Sequence, residues 1–501
     1  MAEPTDIGPS PEEPGMLRAL RRHAARAPGR DLVIGDRARL TCAALADLVA
    51  TWSAHLRRMS PGPVALALDN GPAWAVLDLA ALAAGIPCVP IPLFFTPEQV
   101  HHVVRAAGAR LILRDRPTKG GMAVASIAGT PIWTQVLPET APRVAPGIAK
   151  VTFTSGTTGA PKGVRLTANA MARVARSLVA ATGATAGDRH LALLPLATLL
   201  ENLAGVYAPL LAGASVALPG LARVGLSGSS DLDPERMVRA LKDHEASTAI
   251  VLPGMLKAMV SVLARGAAAP KRLRFLAVGG APVSPALLAE AKTLGLPVFQ
   301  GYGLSECASV VALNAPGDDR PGSVGRPLPH LRIATAEDGE ILISGSGFAG
   351  YLGDEPPAAD APLATGDLGR IDGDGYLHIE GRKKDIFITG FGRNVSPAWV
   401  ESELTAHPAI RQAAVFGEGA EANTAVVVPA SETAAVAEAV AAANRRLPDY
   451  ARIGRWIVAR IPFTPANGLA GPSGEPRRAA IGAAHGLEDL SRQGQEQTGT
   501  S

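Results

Sequence analysis

The sequence predicts an α/β protein in unequal parts: a large N-terminal domain of layered α/β subdomains with a small β-rich subdomain, then a small α+β C-terminal domain. Three observations carry this expectation. From about Met16 to Gln300, helical patterns alternate with short apolar runs, as parallel strands covered by helices do. After about Pro327, short strand-like runs are joined by Asp-Gly turns. A further compact segment follows "GRKKDIFITGFGRNVSP" and ends near residue 485. A chain of 501 residues is long enough for two or three domains with a large core.

In chain order, residues 1–14 are acidic and proline-rich and are expected to be disordered. They have neither the basic nor the apolar stretch of a signal peptide, so a cytoplasmic protein is expected. Strands are expected in "PVALAL" at 63–68, "RLILR" at 110–114, "ASVALP" at 214–219, "STAIVLP" at 247–253 and "LRFLAVGG" at 273–280. The apolar region Ala73 to Phe95 is interrupted by Asp78, Gly85, Pro87, Pro90 and Pro92. It reads as a core helix and a buried strand, not a transmembrane segment. The run Ile148 to Phe153 reads as a strand leading into "TFTSGTTGAPKG", Thr152 to Gly163. A helix is expected beyond it, with Thr167 as N-cap and Met171, Val174, Ala175, Leu178 and Val179 on one face. "GLSGSS" at 225–230 reads as a surface loop, and residues 486–501 as a disordered tail.

Composition narrows the function. Apolar residues make up 47% and charged residues 19%, as in a soluble globular protein. Net charge is +3 with no basic run, and aromatics are only 4%, which argues against a nucleic-acid partner. Cys42, Cys88 and Cys307 lie far apart with no CxxC, so neither a zinc site nor a disulfide framework is indicated.

The glycine- and hydroxyl-rich loop carries the chemistry. Backbone N–H groups and Ser/Thr hydroxyls make an anion-binding concavity, Lys162 adds a full charge, and a helix start behind it would add partial charge. A polyphosphate is the natural guest. The loop is not a Walker A motif, because proline precedes its lysine and glycine follows it. "GSGFAG" at 345–350 matches GxGxxG but sits in the β-rich region, out of the context a dinucleotide needs.

These residues resemble the adenylate-forming superfamily of acyl-CoA synthetases, luciferase and peptide-synthetase adenylation domains. "TSGTTGAPKG" resembles its phosphate loop, "VGGAP" at 278–282 the segment before the adenine pocket, "GYGLSE" at 301–306 its aromatic motif, and "TGD" at 365–367 its ribose motif. "GRKKDIFITGFGRNVSPAWVE" at 381–401 resembles the hinge and following loop, and with "FTPANGL" is most similar to long-chain fatty acyl-CoA synthetases. The resemblance implies a domain over 15–380, a hinge over 381–385 at Lys384, and a mobile domain over 386–485. It implies ATP held by Thr154, Ser155, Gly156, Thr157, Thr158, Gly159, Lys162, Gly280, Ala281, Pro282, Tyr302, Gly303, Ser305, Asp367 and Arg382. It places Mg²⁺ on Glu306 and Thr158, and the pantetheine of coenzyme A beside Gly390, Gly392 and Asn394. Thr198 falls where relatives border the acyl pocket; core packing of that segment is equally open.

One departure stands out. The family carries a lysine near its C-terminus that contacts the substrate carboxylate and the α-phosphate, and spacing puts Glu475 there. No lysine follows Lys384. Arg477 and Arg478 are the expected stand-ins, since guanidinium keeps its charge at all relevant pH. The implied reaction activates a carboxylic acid, foremost a fatty acid, with ATP and passes it to CoA. The departure keeps two alternatives open: an adenylating enzyme with another acceptor (an acyl-carrier protein, a ring closure) or another oxyanion substrate, and a non-catalytic nucleotide-binding homologue.

Overall fold

The computed structural model describes residues 14–60, 62–138, 144–154, 161–228, 231–358, 361–430, 435–471 and 474–487. Most of the two terminal segments expected to lack a fold, residues 1–13 and 488–501, lies outside them.

Two large sheets form the body. One has seven strands in the order Met122–Ile127, Thr130–Val136, Leu111–Arg114, Val64–Ala67, Cys88–Pro90, Ile148–Thr154 and Lys162–Thr167. Its centre is parallel, and Val64–Ala67 is buried at every position, as a strand covered on both faces must be. The other has nine strands, with Val298–Tyr302, Phe275–Val278, Thr248–Val251, Arg189–Leu191 and Ser215–Ala217 running parallel in its middle. The expected apolar runs thus all become strands. The region Ala73 to Phe95 yields the buried helix Pro72–Ala84 and the strand Cys88–Pro90. Among the described residues, no helix is long and apolar enough to cross a membrane.

The β-rich part is a four-stranded antiparallel sheet, Arg332–Thr335, Glu340–Ser344, Leu363–Ile371 and Leu377–Arg382. Its two Asp-Gly turns place Gly339 and Gly375 at φ +86° and +85°, where glycine avoids the Cβ clash. The C-terminal part packs helices Pro397–Ala406 and Val436–Arg446 on the three-stranded sheet Ile410–Phe416, Asn423–Pro429 and Ile453–Val458. It has its own core, built on Val400, Leu404, Val415, Val427 and Val440. Cys42, Cys88 and Cys307 are free and buried.

Two local expectations are corrected. The glycine-rich loop does not join a strand to a helix. Lys162–Thr167 is a strand, antiparallel to Ile148–Thr154 with Lys162 opposite Thr154. The helix Ala168–Thr182 starts only after it, capped as expected by Thr167, which accepts from Ala170 N at 3.1 Å. Among the described residues, no helix therefore starts directly behind the loop. The strand went unseen because Arg165, a residue type that normally marks an exposed position, is buried between Val164 and Leu166. The supposed loop at 225–230 begins a short ribbon in which Leu226–Ser227 pairs with Asp231–Leu232.

Lys162–Thr167 is the outer strand of its sheet. A segment from far along the chain covers its open side. Arg165 N donates to Gly350 O at 3.0 Å, Leu352 N donates to Gly163 O at 2.8 Å, and Tyr351 bridges Val164.

Its neighbour Ile148–Thr154 is anchored by Lys150, which is 1% exposed. Lys150 Nζ donates to Asp78 Oδ1 at 2.7 Å and to Asn202 Oδ1, and lies 5.1 Å from the Tyr207 ring centroid. Asp78 Oδ2 accepts from Tyr207 Oη at 2.7 Å and Asn202 Nδ2 at 3.1 Å. Replacing one partner strands the other charge in the core. Lys150→Met is expected to cost about 3–5 kcal/mol of stability, read by urea unfolding. A loss below about 1 kcal/mol would refute that anchoring role.

Candidate active site

Three sheets bring the functional side chains together. The strand Lys162–Thr167 begins with Lys162, which is exposed, its Nζ 5.6 Å from the Tyr351 ring centroid. Tyr351 comes from the segment that covers this strand, and its hydroxyl donates to Glu306 Oε1 at 2.6 Å. Burial and the Glu306 charge both push the Tyr351 phenol up, so it stays a donor.

Glu306 sits in a sharp turn at the end of Val298–Tyr302. Ser305–Cys307 forms one 3₁₀ turn, and Ala308 and Ser309 then take positive φ, +53° and +94°. Such φ values strain a residue with a Cβ, by about 1–3 kcal/mol each. Gly303 permits the turn: a Cβ there would lie 1.6 Å from Ser309 O. The geometry aims Glu306 back toward Lys162's strand.

The four-stranded sheet supplies a second group. Asp367 and Arg382 face each other across Leu363–Ile371 and Leu377–Arg382. Arg382 Nε lies 2.9 Å from Asp367 Oδ1, and Arg382 Nη1 donates to Thr365 O at 3.1 Å. Tyr302 Oη donates to Asp367 Oδ2 at 2.5 Å. Thr365 Oγ1 accepts from Asp367 N at 3.1 Å, which fixes the Thr-Gly-Asp turn. Burial pushes the Asp367 carboxyl above its ordinary value, while Arg382 and the Tyr302 hydroxyl oppose that shift. The Glu306 charge also raises Asp367, so the two groups act on each other.

Lys162, Tyr302, Glu306, Asp367 and Arg382 are therefore brought together, and Thr154 lies opposite Lys162. Gly280, Ala281 and Pro282 follow Phe275–Val278, the parallel neighbour of Val298–Tyr302, so they leave the same end of the sheet as Gly303 and Ser305. Ser155, Gly156, Thr157, Thr158 and Gly159 lie outside the described residues. Tyr351 is not flagged by the sequence: its only signal there is an aromatic residue directly after the glycine run 345–350.

The C-terminal residues are arranged differently. Gly390 and Gly392 lie in an exposed turn whose Phe391 is 74% exposed, and the exposed Asn394 begins the strand Asn394–Val395, opposite Ile388. Lys384 is exposed in the turn after Arg382. Glu475 folds back over Gly471, where a Cβ would lie 2.0 Å from its Oε1. Arg477 is exposed at the start of the helix Arg478–Ala484. Arg478 is committed elsewhere in this pose. Its Nη2 and Nε reach Glu401 Oε2 and Oε1 at 2.6 and 3.1 Å, and the buried Glu401 also accepts from Val415 N at 2.8 Å.

Among the described residues, no group of three or more His, Cys, Asp or Glu could hold a metal by itself.

Residues 20–352 match the AMP-binding enzyme family, and residues 384–481 match the AMP-binding enzyme C-terminal domain. The chain is 32% identical over 415 residues to the long-chain-fatty-acid–CoA ligase FadD15 of Mycobacterium bovis, covering 69% of each chain. It superimposes on the anthranilate CoA ligase AuaEII bound to anthranoyl-AMP with a TM-score of 0.79, at 20% identity over 95% of this chain and 98% of that one. It also superimposes on the amide bond synthetase McbA from Marinactinospora thermotolerans with a TM-score of 0.72, at 26% identity over 94% and 99% of the two chains. With the motif residues gathered across three sheets and both parts of the chain matched, the protein belongs to the AMP-binding enzyme family, within the adenylate-forming superfamily.

Proposed function

We propose that the protein activates a fatty acid with ATP and Mg²⁺ to an acyl-adenylate and transfers the acyl group to coenzyme A. The observation that carries this reading is the meeting of Lys162 and Glu306 with the Asp367–Arg382–Tyr302 group. In the first step a carboxylate oxygen attacks the α-phosphorus, the bond to the β-phosphate oxygen breaks, and pyrophosphate leaves. Lys162 and the loop from Thr154 bind and orient the departing phosphates, where preorganised charge counts most. Asp367 has lone pairs beyond those used by Tyr302 and Arg382, and these accept the ribose hydroxyls. Tyr302 lends a flat face to adenine.

Glu306 suits a hard cation. Its Oε1 accepts the Tyr351 hydroxyl, which orients Oε2 as an oxygen ligand. Mg²⁺ usually takes one or two protein carboxylates plus phosphate oxygens, so Glu306 with the Thr158 hydroxyl is a sufficient protein share. When bound, Mg²⁺ offsets the charge on the leaving pyrophosphate. In the second step the C-terminal domain turns about Lys384, and Gly390, Gly392 and Asn394 line the approach of the CoA thiol. The thiol sulfur bonds to the acyl carbon and AMP departs.

A second reading gives the acyl group to an acceptor other than CoA, such as a carrier protein or an amine. Glu475 in place of the expected lysine and the likeness to an amide bond synthetase favour it.

Pyrophosphate release with ATP and Mg²⁺ across an acid panel, with and without CoA, separates the readings. Acid-dependent release with acyl-CoA seen by mass spectrometry supports the first. Release without a CoA product supports the second, and ATP binding without release rejects both. Asp367→Asn is expected to raise KM for ATP about 10- to 100-fold, as loss of charged hydrogen bonds does; an unchanged KM would remove Asp367 from the ATP site. Arg477→Ala is expected to slow acid-dependent pyrophosphate release about 100- to 1000-fold, the usual loss for one electrostatic donor. Arg478→Ala should instead lower the melting temperature of the C-terminal domain. The reverse pattern would assign the stand-in role to Arg478.

A further inference from the structure

Lys257 lies on the helix Pro253–Ala264, whose Met255, Leu256, Met259 and Val260 are buried in the core beside the nine-stranded sheet. Its ammonium leaves that core and ends on the other domain. It donates to Ile410 O at 2.6 Å, to His407 O at 3.1 Å and to Thr405 O. The three carbonyls cluster where the helix Pro397–Ala406 ends, the first helix beyond the hinge residues. The last carbonyls of a helix lack partners within it and carry partial negative charge. A lysine ammonium offers three donors, which matches three acceptors.

The contact differs in kind from the Lys150–Asp78 pair. Among the described residues no carboxylate pairs with Lys257. Burial alone draws its pKa down to about 8, so it remains charged at neutral pH. Carbonyl dipoles hold a cation less strongly than a buried carboxylate does, and water can replace them when the surfaces part. The helix that Lys257 caps is rigidly tied to the remainder of its domain, because its Glu401 binds Arg478 and Val415 N. Moving this helix end therefore moves the 389–394 loop and Arg477 with it.

We propose that Lys257 is a positioning residue: its three carbonyl contacts hold the C-terminal domain in the pose seen here, with the 389–394 loop turned to solvent, and breaking them permits the change of pose. The kinetic consequence rests on the two-step reading above; the pose itself can be measured without any turnover.

The native cysteines are buried, so spin labels can be directed to the exposed Lys271 and Glu438 as Lys271→Cys and Glu438→Cys in the full chain. The parent should show one dominant interdomain distance. Lys257→Met should lower that population about three-fold or more, and Lys257→Arg should retain more of it than Lys257→Met does. Thermal unfolding verifies that the fold persists, and Lys257→Gln repeats the measurement if the Met variant unfolds. A parent without a dominant distance, or distributions unchanged in Lys257→Met and Lys257→Gln, would overturn the proposal. In an active enzyme, Lys257→Met should also shift the ratio of adenylation to thioester formation about five-fold at unchanged KM for ATP. An inactive parent would count against the acid-activating reading and leave the distance result to decide the role of Lys257.

Discussion

The buried Lys150 ammonium is the constraint around which the site is built. Taking an ammonium and a carboxylate out of water costs several kcal/mol per ion unless their remaining hydrogen-bonding capacity is met. Here Asp78 receives donors from Lys150, Asn202 and Tyr207, so the cost is offset by a closed set of bonds. The set also fixes register. A one-residue slip of Ile148–Thr154 would turn Lys150 to the opposite face and leave Asp78 unpaired. Asp78 belongs to the helix Pro72–Ala84, while Asn202 and Tyr207 belong to the segment leading to the nine-stranded sheet. One cation therefore aligns two layers and the strand that enters the glycine-rich loop.

From that anchor the site grows by convergence of distant segments. Lys162 stands on the return strand, Glu306 on a strained turn, and Asp367 and Arg382 on a separate sheet. Two tyrosines tie these pieces together, Tyr351 to Glu306 and Tyr302 to Asp367. Each hydroxyl stays protonated under the influence of burial and the neighbouring carboxylate, and each occupies one carboxylate oxygen; the other oxygen of Asp367 is held by Arg382. Positive φ at Ala308 and Ser309 is the local cost of holding Glu306 in place.

The parts legible in the sequence are those where one residue type does one job. Asp-Gly pairs marked the turns of the four-stranded sheet, and the apolar runs marked the strands. What stayed hidden depends on partners far away. Asp78 looked like an interruption of an apolar helix because its partner Lys150 is 72 residues on. Arg165 disguised a strand by occupying a buried position. Arg478 sat near the expected lysine position by spacing, yet its partner Glu401 lies 77 residues earlier. Thr167 as N-cap was correct even where the preceding strand was not seen, because capping is decided within one helical turn.

The covering of the Lys162–Thr167 strand by Gly350–Leu352 bears on how the chain is made. An outer strand with free N–H and C=O groups is a template for pairing with other chains. During synthesis this strand emerges long before residue 350 does, so its side stays open while the intervening chain is added. The nascent polypeptide is therefore most prone to association in that interval, and any truncation upstream of residue 350 would make the exposure permanent. The segment that brings Tyr351 to Glu306 is thus also the one that closes this edge of the sheet.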